Sequence, residues 1–148
     1  QASFERMQAA LAEAAEAAHA LPDPLVLTAR AENHLYGIDD LDDTIARLVA
    51  FRAAGADVVY APGLVRASAI ARVVAEVGLP VNVLALPTTP PLPELAALGV
   101  RRVSTGSLLT SAAYGALVAA ARELHGPGTS DYARRGLTTD ERRAFDPA

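Results

Sequence analysis

One pattern repeats four times along this chain: a short apolar run, a turn, an amphipathic segment, then a glycine. In the first copy Leu25, Val26, Leu27, Thr28 and Ala29 form the run, residues 44–54 the amphipathic segment, and Gly55 the stop. The second copy is Val58-Val59-Tyr60, the turn Ala61-Pro62-Gly63, a segment over 67–77 and Gly78. The third is Val81-Asn82-Val83-Leu84, a proline-rich loop over 87–93, a short segment over 94–98 and Gly99. The fourth is Arg102-Val103-Ser104, the turn Thr105-Gly106-Ser107, a long alanine-rich segment over 108–124, and the breaker Gly126-Pro127-Gly128. Short apolar runs read as buried strands and the longer periodic segments as helices. Strands that alternate with helices imply a parallel sheet. Glycine after each helix supplies the left-handed residue that ends it.

A further helix is expected over 3–20, where Phe4, Met7, Leu11 and Ala15 share one face and Pro22 and Pro24 follow. The tail over 131–148 is polar, with a short helix expected over 138–145. The order is therefore one helix, four βα units and a tail. Each unit has the length of a (β/α)8 barrel repeat, and a whole barrel takes about 250 residues. The 148 residues here hold four units. The expected fold is α/β, the C-terminal half (strands five to eight) of a parallel (β/α)8 TIM-type barrel over 1–130, with a tail over 131–148. An open four-stranded α/β sheet is the competing architecture. The single methionine at Met7 and the opening Gln1 suggest a chain that starts inside a longer one.

Composition bounds the function. With 51% hydrophobic and 20% charged residues the chain can build a core. A net charge of −4 with scattered arginines argues against a nucleic-acid partner. No apolar run reaches the ~18 residues of a membrane span. Without cysteine there is no disulfide, thiolate nucleophile or cysteine zinc site, which fits a cytoplasmic protein. Walker, dinucleotide-binding, Gly-x-Ser-x-Gly and His-Glu-x-x-His motifs are all missing.

In parallel α/β folds chemistry gathers just past the C-terminal ends of the strands. Four places qualify: 30–34, 60–64, Asn82 and 104–107. Arg30 directly follows an apolar run, and its guanidinium fork matches a carboxylate or phosphate. Glu32, two residues on, falls on the same face and can either hold Arg30 in place or join it in binding. His34 has the side chain of an acid or base near neutral pH, whereas His19 and His125 read as structural or surface residues. Asn82 interrupts an apolar strand, so its amide bonds either within the core or to a ligand. Gly106 and Ser107 precede a long helix and can hold an anion or simply cap it. Asp39, Asp40, Asp42 and Asp43 read as capping and dipole residues of the helix that follows.

Four blocks, in order, resemble the isocitrate lyase/phosphoenolpyruvate mutase superfamily. Leu27-Thr28-Ala29-Arg30-Ala31-Glu32-Asn33 is similar to its strand-five segment Asn-Ala-Arg-Thr-Asp. Residues 53–64, AAGADVVYAPGL, resemble its "AGAD…PGL" block. Residues 79–84, LPVNVL, resemble its "PxN" strand, and residues 94–107, ELAALGVRRVSTGS, its "ELAxLGVxRVSxG" block. The resemblance covers about residues 1–130. It implies a (β/α)8 barrel whose last helix is swapped between subunits of a homo-oligomer. It also implies Mg2+-dependent making or breaking of C–C or P–C bonds in small 2-oxo or 2-hydroxy acids through an enolate. Arg30 would be the catalytic cation, with Arg30, Glu32 and Asn82 against the substrate.

Two departures stand out. The family's Mg2+ ligands and mobile loop belong to the first half of the barrel and have no counterpart here. Where the C–C lyases of the family carry a glutamate after strand six, this chain has Pro62, which points toward the mutase, decarboxylase or hydrolase branch. The chain alone is accordingly expected to be inactive. The competing functions are a self-associating, non-catalytic half-barrel and a small α/β domain that binds a phosphorylated ligand at Gly106 and Ser107.

Overall fold

The computed structural model describes residues 2–144, in two compact units divided between Thr105 and Gly106. The first unit runs α1 (Ala2–His19), β1 (Thr28–Arg30), α2 (Leu41–Ala53), β2 (Val58–Tyr60), α3 (Ala67–Val77), β3 (Val81–Leu84), α4 (Leu92–Ala97) and β4 (Arg102–Ser104). The four strands make one sheet in the order β1-β2-β3-β4, with every pair parallel. Parallel crossovers are right-handed. Strands added in sequence order by such crossovers put all their helices on one face of the sheet.

The core lies on that face. Ala29, Val59, Val81 and Val83 alternate inward from the strands and meet Leu48 and Phe51 of α2, Ile70, Val73 and Val77 of α3, and Leu95 of α4. Leu48, Ile70, Val73 and Val77 are completely buried, and burying each such side chain is worth about 1.5–3 kcal/mol. From α1, Phe4 and Leu11 pack against this cluster, the Phe4 ring lying 5.9 Å from that of Phe51. Because side chains alternate along a strand, the opposite face receives Thr28, Arg30, Val58, Tyr60, Asn82, Leu84, Arg102 and Ser104.

Caps and glycines set the boundaries. Asp40 is the N-cap of α2, its carboxylate accepting the Asp43 N–H at 2.9 Å. Gly55, Gly78 and Gly99 follow α2, α3 and α4 with φ of 99°, 71° and 91°, the left-handed region expected of them. Several boundaries differ from expectation: α2 begins at Leu41 rather than residue 44, and two further differences have a local cause. Pairing in β1 starts at Thr28, not Leu25; Leu25 and Val26 are 61% and 70% exposed. Pro22 and Pro24 lie just before them, and the first ladder contact is the Leu27 carbonyl, which accepts from Asp57 and Val58. Helix α4 begins at Leu92 instead of Glu94, because Pro93 falls in its first turn, where a missing N–H costs nothing.

The second unit holds α5 (Leu108–His125), a 3-10 turn (Asp131–Arg135) and α6 (Thr139–Arg143). Thr138 and Glu141 form a complete capping box at the start of α6. Phe145, the expected end of this helix, lies outside the described residues. No helix among the described residues is long and apolar enough to cross a membrane.

Candidate active site

Strand register assembles a polar row on the sheet face opposite the core. Arg30 pairs with Tyr60, Tyr60 with Asn82, and Asn82 with Arg102. Partners in register point the same way, so these four side chains stand next to one another across four strands. The row follows the hydrogen-bond direction. It therefore runs from the last residues of β1 and β2 to the second residue of β3 and the first of β4.

The pairs at the two ends of the row, Arg30 with Tyr60 and Asn82 with Arg102, are in side-chain contact. The Arg30 guanidinium carbon lies 5.2 Å from the centre of the Tyr60 ring, within cation–π range. Arg30 Nε forms an ion pair with Glu32 Oε1 at 2.8 Å, and both side chains are partly exposed. Of the two readings of Glu32, the ion pair that holds Arg30 in place is present, and one edge of the guanidinium is committed to it. Burial pushes the Tyr60 hydroxyl above the usual phenol range, with Arg30 pulling it back and Glu32 adding to the rise.

Asn82 is 2% exposed and satisfied from β4. Arg102 Nη1 donates to its Oδ1 at 2.9 Å, while its Nδ2 donates to Ser104 Oγ at 3.0 Å. Arg102 is the member of the row that sequence reasoning passed over. Its signal was there: Arg102 and Ser104 flank Val103 in a strand, which puts two polar side chains on one face beside the Asn82 strand.

Beside Arg30, a cavity of about 370 Å3 is lined by Met7, Glu32, Asn33, Asp43 and Arg47 among others. Its acids are paired: Asn33 Nδ2 donates to Asp43 at 2.6 Å and Arg47 binds the same carboxylate. These bonds, Arg47 first, hold the Asp43 carboxyl below the usual carboxylate range. The other acids of this stretch are also engaged, Asp42 with Arg72 at 2.8 Å and Asp39 with Arg66 at 3.3 Å.

His34 does not join the row. It sits in a 3-10 turn (His34–Tyr36) with its side chain only 7% exposed. Its two ring nitrogens lie 3.4 Å from Asp39 Oδ1 and 3.4 Å from Thr44 Oγ1. Gly63, at φ 86°, closes the following turn so tightly on His34 that a Cβ there would meet the His34 backbone at 3.1 Å. Pro62 beside it is buried. His19 lies away from the row, bonded to Asp57 at 2.9 Å. In the second unit Gly106 takes φ 53°, and Ser107 is the N-cap residue of α5 without a side-chain cap bond. Among the described residues no three His, Asp or Glu side chains come together as a metal-ion site.

Comparisons with known proteins bear on this arrangement. The sequence profile of the phosphoenolpyruvate phosphomutase family matches residues 1–125. A Burkholderia cenocepacia J2315 protein assigned provisionally as a lyase/mutase is 49% identical with a TM-score of 0.87, over 97% of this chain and 53% of its own. A second protein from that organism, assigned provisionally as a phosphonomutase, is 34% identical with a TM-score of 0.74, over 81% of this chain and 50% of its own. The fold also matches 2,3-dimethylmalate lyase, a PEP mutase/isocitrate lyase superfamily member, at 22% identity and a TM-score of 0.74, over 93% of this chain and 48% of that one. The chain thus spans about half the length of the solved structures it matches. No curated protein sequence matches it.

Proposed function

This chain belongs to the phosphoenolpyruvate phosphomutase family, and from that premise we propose that it supplies the carboxylate-binding side of a lyase or mutase acting on a small 2-oxo or 2-hydroxy acid. The bond made or broken would be C–C or P–C, through an enolate. The observation that carries this reading is Arg30: a half-exposed guanidinium on the last residue of β1, held by Glu32 and Tyr60 and aligned with Asn82. Glu32 and the Tyr60 face fix its position, leaving Nη protons for a ligand. A preorganised cation there neutralises a substrate carboxylate and the negative charge that grows on an enolate oxygen. Pro62 in the position of the lyase glutamate favours the mutase, decarboxylase or hydrolase branch.

Family membership implies Mg2+, which would polarise the substrate carbonyl when bound. The described residues do not fit it as ligands, so no step of this mechanism is routed through the metal. The row's part is to bind and orient the acid and to receive charge.

We assign the four βα units to strands five to eight of a (β/α)8 barrel, 1–130, completed by four further units. The sheet in strict sequence order supports this assignment, since a doubly wound sheet would reverse direction. Helix α5 has no buried residue, and Leu109, Tyr114 and Leu117 are each more than 60% exposed. That apolar surface supports a homo-oligomer in which the C-terminal segment packs on a neighbouring subunit.

The test pairs the intact mass and solution mass of the purified protein with oxaloacetate turnover, with and without Mg2+. Turnover is expected only from an assembly with a complete ring. Arg30→Ala should lower it by roughly 10²–10³, the range for loss of one charge-stabilising group. Full turnover by Arg30→Ala overturns the reading.

A further inference from the structure

We infer that Arg102 is a positioning residue, which fixes the direction of the Asn82 amide and so makes the Asn82–Ser104 pair a face of hydrogen-bond donors. The inference rests on the proposed acid-binding role of the row and goes beyond it by stating what sets the polarity.

An asparagine amide has two ends of nearly equal shape and opposite chemistry, and only its partners decide which way it points. A guanidinium donates and never accepts. The 2.9 Å contact from Arg102 Nη1 therefore requires the oxygen of Asn82 on that side. The amide nitrogen is then forced toward β4's other polar residue and donates to Ser104 Oγ at 3.0 Å. A hydroxyl oxygen that accepts this bond has its own proton to give outward. The second Asn82 N–H is likewise a donor. One permanent cation at the start of β4 thus orders a chain, Arg102 to Asn82 to Ser104, whose second Asn82 N–H and Ser104 O–H are both free to donate.

Burial makes the ordering matter. Asn82 is 2% exposed, so water cannot compensate a reversed amide. Without Arg102 the amide can turn, which puts its oxygen against Ser104; the Ser104 hydroxyl would then donate inward and present lone pairs to whatever the row binds. That would set an acceptor against an anion. Arg102 itself is exposed, so removing it should leave the fold intact.

The experiment is calorimetric titration with oxalate, a stable planar dianion, of wild type, Arg102→Met, Arg102→Lys, Asn82→Ala and the double variant Asn82→Ala/Arg102→Met. Arg102→Met should weaken oxalate roughly tenfold or more, the usual size of one hydrogen bond to a charged group. Arg102→Lys, which still donates, should recover most of that loss. The double variant should bind no more weakly than Asn82→Ala, because coupled residues are not additive. A general loss of positive charge would instead persist in the Asn82→Ala background. The NMR signals of the Asn82 side-chain NH2 should shift or double in Arg102→Met and return in Arg102→Lys. Oxalate binding with additive losses in the cycle overturns the role of Arg102 alone. A wild-type protein that ignores oxalate overturns the acid-binding reading, and the donor-face assignment falls with it.

Discussion

Gly55 joins the end of α2 to β2 and lies against α1, so a single methyl added there probes how the whole first unit is held. Two costs are legible. Gly55 has φ 99°, and placing an L-residue in left-handed backbone costs about 1–2 kcal/mol. An alanine Cβ would also sit 2.8 Å from Cβ of Ala15, the buried small residue of α1 at 4% exposure. Overpacking of that kind costs about 1–3 kcal/mol. Gly55→Ala should therefore destabilise the protein by about 2–5 kcal/mol and lower its melting temperature by roughly 6–16 °C. The two parts can be separated. Ala15→Gly removes the clash but not the backbone strain, at its own cost of about 1 kcal/mol in a helix. In that background Gly55→Ala should cost only the 1–2 kcal/mol of strain expected for left-handed backbone (about that much). Urea melts of the four proteins measure the cycle. Equal cost of Gly55→Ala in both backgrounds would refute the close approach of α1 to the α2–β2 corner.

Three other perturbations have defined outcomes. Asp57 accepts from His19 at 2.9 Å and from the Leu27 N–H at 2.8 Å, and these bonds, His19 first, lower its pKa from 3.8. Its contribution is complete above that value and fades as pH falls through the lower folded one, so Asp57→Asn should flatten the acid limb of a melting-temperature profile below about pH 4; an unchanged limb contradicts the clamp. Phe51→Ala, at a 2% exposed site that also walls the cavity beside Arg30, should cost about 3–5 kcal/mol in chemical denaturation, and a loss under 1 kcal/mol would go against the core as described (the threshold being about the cost of a surface change). Thr138→Ala breaks the capping box with Glu141 and should speed amide exchange over 139–143 without moving the main melting transition; unchanged exchange rates speak against the box.

The repeat was readable because each βα unit carries its own punctuation. Gly55, Gly78 and Gly99 mark helix ends by a backbone requirement that few other residues meet, and the 67–77 segment emerged with its expected bounds. The start of β1 was not readable, since Leu25 and Val26 are as apolar as any strand residue. Only the Leu27–Asp57 contacts show where pairing begins. At the site, Arg30, Glu32 and Asn82 stood out because polar groups in or beside apolar strands must be paired or used. Arg102 did not stand out, since its meaning comes from register with Asn82 and register is a property of two strands together. The same holds for Tyr60, whose ring becomes a platform only once Arg30 lies opposite it. His34 shows the reverse: a residue type suited to catalysis that the 3-10 turn folds inward, between Asp39 and Thr44.

The central claim is that the row led by Arg30 is where a small acid binds, and a 15N-resolved NMR titration with oxalate tests it most directly. The account predicts saturating shifts at the Arg30 Nε–H, the Asn82 side-chain NH2 and the backbone around Glu32 and Ser104, all abolished in Arg30→Ala. Shifts confined to Gly106, Ser107 and the first turn of α5, or shifts that survive Arg30→Ala, would contradict it.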